Sequence, residues 1–86
     1  RQGEAISLGN LGEIAKDRGN LDEAERLHNE SLAIKREIGH REGEAISLGN
    51  LGEIAKDRGN LDEAERLFEQ SRAIKKEMGL DDEESD

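Results

Sequence analysis

The sequence predicts an all-α protein built from two tandem antiparallel helix–turn–helix repeats, and three observations carry that prediction. Residues 41–80 match residues 1–40 at 32 of 40 positions, and residues 3–27 recur unchanged as 43–67. Self-similarity at a fixed period of this size marks a stacked repeat architecture. Within each unit the apolar residues fall at steps of three and four, the spacing of one helix face. Glycines punctuate the pattern at positions 19, 39, 59 and 79, and no proline interrupts it.

The first helix is expected over residues 3–18, with Ala5, Leu8, Leu11, Gly12 and Ala15 on one stripe. Gly19 tolerates the left-handed conformation of the residue after a helix end. Asn20 is the expected N-cap of the next helix, and Glu23, three residues on, completes a capping-box pattern. The second helix, over 21–38, turns Leu21, Ala24, Leu27, His28, Ser31 and Ile34 inward, and Asp22 and Arg26 stand as an i,i+4 pair on its outer face. The copy repeats this reading over 43–58 and 61–78. Turns of two or three residues make each pair antiparallel. The first unit is therefore residues 1–40 and the second 41–80, followed by an acidic tail, 81–86, expected to be frayed.

Composition narrows the function classes. Leu, Ile and Phe together make 18 of 86 residues, so a core built from them is lean. A chain of this length buries only about 60% of its unfolded surface, which makes stability modest. Asp and Glu outnumber Lys and Arg 22 to 13, and Phe68 is the one aromatic residue. Nucleic-acid binding draws on clustered cations and stacking aromatics, so that class is excluded, and anionic membrane surfaces are disfavoured by the same sign. No apolar run approaches the roughly 18 residues of a membrane span. The chain has no Cys, which removes disulfides, thiolate nucleophiles and zinc-thiolate sites and fits a reducing, cytoplasmic setting. It opens at Arg1 inside a helical pattern, as a segment of a longer array would.

The run Leu8-Gly-Asn-Leu-Gly-Glu-Ile-Ala15, followed by Gly19-Asn-Leu-Asp-Glu-Ala24, resembles the tetratricopeptide repeat. On that resemblance the packing roles fall to Leu8, Leu11, Gly12, Ala15, Ala24, His28 and Ser31. In the second unit they fall to Leu48, Leu51, Gly52, Ala55, Ala64, Phe68 and Ser71. Gly12 and Ala24 would be small where the paired helices cross most closely. The period is 40 rather than about 34, resembling the long-repeat subclass of kinesin light chains and bacterial arrays. The family's closing Pro is absent, with Arg36 and Lys76 near its place, and Leu, Ala and His replace most of its aromatics. HEAT-type repeats have a compatible period, but the Leu-Gly and Gly-Asn-Leu-x-x-Ala signals favour the tetratricopeptide reading.

The resemblance implies a short right-handed α-solenoid whose first helices line a concave groove for a peptide or helix. Projected onto this chain, the groove carries Ile6, Gly9, Asn10, Glu13, Lys16 and Asp17, with Ile46, Gly49, Asn50, Glu53, Lys56 and Asp57 beside them. Asn10 and Asn50 correspond to an asparagine that binds peptide backbone in relatives, an amide offering both donor and acceptor. The alternative reading makes each a solvated helix-face residue. Gly9, Glu13 and Ile6 stand where a clamp for acidic chaperone tails needs cations, so that specificity is not expected.

No catalytic machinery is visible: the serines lack a His/Asp constellation, and His28 with Glu25 is too little to hold a metal. No cofactor is expected. His28, aligned with Phe68, reads as a partly buried filler. The predicted function is a non-catalytic protein-interaction scaffold for a protein or peptide partner. The alternative is a self-associating structural module. Two repeats are fewer than a stack normally needs. The leading helix should leave Ile6, Leu8 or Ile14 uncovered, while Leu32→Arg72 and Ile38→Met78 partly cap the other end. A homodimer through the uncovered faces is the expectation that follows.

Overall fold

The computed structural model describes residues 1–79; the expectation for the acidic tail at 81–86 lies outside the described residues. Four helices follow one another: α1 (Gln2–Asp17), α2 (Leu21–Glu37), α3 (Arg41–Asp57) and α4 (Leu61–Glu77), and no strand occurs among the described residues. The last three helices each span 17 residues and the turns three, which accounts for the period of 40. Extensive packing joins only consecutive helices, α1 with α2, α2 with α3 and α3 with α4. The chain is thus a tandem of two helix–turn–helix units.

Every inter-helix turn is built the same way. At the first, Gly19 takes φ 80°, its N–H donates to Lys16 O at 2.9 Å, and Asn20 N–H donates to Ala15 O at 2.8 Å. This is the paired bonding of a Schellman C-cap, in which a left-handed residue lets the chain reverse and satisfy the last carbonyls. The second and third turns repeat it, with His40 N–H to Lys35 O and Asn60 N–H to Ala55 O, each at 2.9 Å. One residue therefore closes one helix and opens the next.

The expected capping box does not form. Asn20 and Asn60 sit at ψ 76°, and neither makes a side-chain cap bond. Glu23 instead accepts from Arg26 at 2.6 Å, and Arg26 also reaches Glu30 at 2.9 Å, so the expected Asp22–Arg26 pair does not form. Asp22 is drawn across the repeat boundary to Arg58, 2.6 Å away. The one side-chain cap is His40, whose Nδ1 accepts from Gly43 N–H at 2.8 Å.

The core lies mainly in the second unit. Ala45, Leu48, Leu51, Ala55, Ala64, Leu67 and Ile74 form its principal cluster, with Phe68 packed against it. Leu32 is the residue that α2 adds to that cluster, and it was not on the expected inward face of α2. A smaller cluster joins Ala15, Ala24 and Leu27 to Ile54, with Leu8 and Leu21 alongside. Both clusters cross the repeat boundary, so α2 packs against α3 as well as against α1.

Leu11 corrects the expected stripe. It is 52% exposed, whereas its copy Leu51 is 7% exposed beneath α2. Ile14 behaves likewise, 48% against 1% for Ile54. The residues are identical; only α3 has a helix packed on that side. Ile6 has a different cause: Ile46 is as exposed as Ile6, so neither repeat covers that position.

Candidate functional site

Within each unit the helix crossing is tight and specific. An added Cβ on Gly12 would lie 2.7 Å from His28 Nε2, and one on Gly52 would lie 2.8 Å from a Phe68 ring carbon. Glycine is required there because a ring rests on the backbone. Beside the ring a buried serine ties the two helices: Ser31 Oγ donates to Ala5 O at 2.9 Å and Ser71 Oγ to Ala45 O at 2.8 Å. Each serine taxes no helix bond, because a carbonyl has a second lone pair. Ala24 and Ala64 complete the crossing, both buried.

His28 is fully enclosed, at 0% exposure, rather than partly so. Neither ring nitrogen finds a hydrogen-bond partner, and the Glu13 carboxylate stands 3.6 Å from Nε2, beyond bonding distance. Burial pushes the imidazole below its ordinary titration range; the Glu13 charge opposes this, and Lys35 and Lys16 add to it. Among the described residues no three His, Cys, Asp or Glu side chains converge as a metal would need.

Of the projected groove residues, the structure gathers Ile46, Gly49, Asn50 and Glu53 into a cleft of about 460 Å³. Its other wall is α4, which supplies Phe68, Ser71, Arg72 and Lys75. The cleft therefore lies between the two helices of one unit, and the second helix contributes half of it. Gly49 leaves the floor open: an added Cβ would make only an ordinary 3.8 Å contact with Ser71 Oγ. Lys56 lies outside, on a neighbouring shallow surface with Leu61 and Arg72. On α1, Gly9 faces Ser31 Oγ, Asn10 is exposed, and Glu13 stands beside His28.

A second cleft, of about 420 Å³, opens between α2 and α4 over Leu48 and Leu51. Its arginines are already occupied: Arg36 donates to Glu44 at 3.0 Å, Arg58 to Asp22 and Glu25, and Arg66 to Glu63 at 2.7 Å. Arg72 and Lys75 have no ion-pair partner among the described residues. Of these two clefts, the one between α3 and α4 is lined by cations without an ion-pair partner among the described residues. Sequence reasoning placed no α4 cation there, although the Leu32/Arg72 difference between the repeats was a visible signal.

A family model for the tetratricopeptide repeat matches residues 3–77, the span of the paired-helix units. The chain belongs to the tetratricopeptide repeat family. Tetratricopeptide repeats generally mediate protein–protein interactions and are typically non-catalytic. No curated protein and no solved structure matches the chain. No helix among the described residues is long and apolar enough to cross a membrane.

Proposed function

We propose that this chain is a protein-interaction scaffold that takes an extended peptide in the α3–α4 cleft. The observation that carries the reading is the set of groups facing one cleft: the Asn50 amide, the Gly49 backbone and the cations Arg72 and Lys75, which have no ion-pair partner among the described residues. An amide matches a peptide unit with both donor and acceptor, and two cations against one Glu53 favour a ligand carrying a carboxylate. The overall charge of −9 points towards a basic partner, but contacts inside a cleft are decided by groups within a few ångströms, where salt screens least. Selection from a random peptide phage library tests this. Enriched peptides are expected to carry an acidic residue and to lose binding to Asn50→Ala and Arg72→Glu variants whose helicity is unchanged. Enrichment that survives both substitutions overturns the cleft assignment.

A second reading is supported by the exposed apolar side chains of α1: the scaffold self-associates through faces that its own repeats leave uncovered. Leu11 and Ile14, each about half exposed, are buried wherever a helix covers the same sequence. Light scattering from micromolar to millimolar concentration is expected to show a concentration-dependent dimer. A folded monomer throughout removes this second reading and leaves the first untouched.

A further inference from the structure

The outer stripe of α1 and its C-cap carries Glu4, Leu8, Leu11, Ile14 and Arg18, and its copy on α3 shows what such a stripe does when covered. There Glu44 is bonded by Arg36 of α2 at 3.0 Å, Leu48 and Leu51 cluster with Leu32, and Arg58 reaches Asp22 at 2.6 Å. Acid, apolar centre and base therefore share one helix face. A second chain can cover the α1 stripe in two ways. It can offer α4, repeating the internal contact head to tail, or it can offer its own α1.

The head-to-tail route fails at its centre. The residue that α2 delivers to the apolar cluster is Leu32, and α4 carries Arg72 at the equivalent place. Stacking would press a guanidinium against Leu8 and Leu11, and removing that charge from water costs far more than the contact returns. The α1 stripe, by contrast, is complementary to itself. Glu4 and Arg18 lie seven residues either side of Leu11, and Leu8 and Ile14 lie three either side. Seven residues are close to two turns, so all five share the seam.

We infer that two copies of this chain associate through α1 in an antiparallel, two-fold symmetric contact centred on Leu11. The inference rests on the self-association reading and adds its geometry. A two-fold axis at Leu11 sets Leu8 of each copy against Ile14 of the other and Glu4 against Arg18 at both ends, about 21 Å apart along the helix. The charges also dictate direction: a parallel pairing sets Glu4 against Glu4 and Arg18 against Arg18, and a one-turn slip loses both ion pairs. A single-helix contact is small, so the dimer is weak and forms at high concentration.

The chain has no cysteine, so a single introduced thiol reports its own neighbours. Leu11→Cys, exposed and close to the axis, is expected to give a disulfide-linked dimer on mild oxidation. Glu4→Cys mixed with Arg18→Cys is expected to cross-link, and neither to link with itself. In the uncrosslinked protein, Glu4→Arg and Arg18→Glu should each weaken dimerisation about tenfold, and the double variant should restore it. If scattering shows a dimer but Leu11→Cys links only to Arg72→Cys, the α1 geometry is wrong while self-association stands. If scattering shows only monomer, both fall.

Discussion

His28 and Gly12 form a pair that must be read together. The imidazole lies fully buried on the glycine with both nitrogens unpartnered, and the second repeat solves the same packing problem with Phe68 on Gly52. Leaving buried polar atoms unsatisfied costs about 1–3 kcal/mol, so His28→Phe should stabilise the fold by a similar amount in denaturant titration. It should also remove a pH dependence. The unfolded imidazole takes a proton near its ordinary 6.5, whereas burial pushes the folded one lower. Between those two points the unfolded state holds more protons, so stability falls as pH drops through this window and returns as it rises. Thermal melts between neutral and mildly acid pH should show that loss in the parent chain and a flatter profile for His28→Phe. The glycines sharpen the same point. Ala is worth about 1 kcal/mol over Gly inside a helix, so Gly9→Ala, with nothing nearer than 3.9 Å, should stabilise. Gly12→Ala should destabilise, because its Cβ would meet the ring at 2.7 Å.

At the level of elements, the three-residue turn decides the helix ends. Gly39 at φ 73° closes α2, and an L side chain in that region costs roughly 1–2 kcal/mol. Gly39→Ala meets no neighbouring atom, so its loss of stability in chemical denaturation should measure backbone strain less the entropy that Ala removes from the unfolded chain. Across the same turn, Glu44 is 7% exposed and accepts from Arg36 at 3.0 Å and Arg41 at 2.8 Å, while Arg41 also bonds Glu77. This chain of charges links α2, α3 and α4. Its counterpart Glu4 is exposed. Sequence reasoning read neither His40 as a cap nor Glu44 as an inter-repeat partner, because both roles depend on where α2 ends relative to α3. The helices themselves were legible because periodicity and glycine placement act within a few residues.

Across the whole molecule, cooperativity rests on the α2–α3 contact. Leu32 is buried among Leu48 and Leu51, and the equivalent position on α4 is the exposed Arg72. Leu32→Arg should therefore uncouple the repeats: a single sharp unfolding transition is expected to broaden or split and its midpoint to fall. A transition as sharp as the parent's would mean that Leu32 does not carry the coupling. The converse change, Arg72→Leu, should build a second adhesive end and drive open-ended association, read as scattering that grows without a plateau.

Residues 3–27 and 43–67 are the same sequence, and they mark the limit of what sequence determines. Both copies form the same two helices around the same turn, with Gly19 and Gly59 at φ 80° and 83°, because hydrogen bonding along a helix and a left-handed C-cap are local events. Their environments differ on the face that α2 covers in the second copy alone: Ile14 is 48% exposed and Ile54 1%, and Glu4 lies open while Glu44 is buried. Burial is a property of what packs alongside. Which copy becomes core, which becomes surface, and which cations are left for a ligand are therefore decided only when α2 settles against α3.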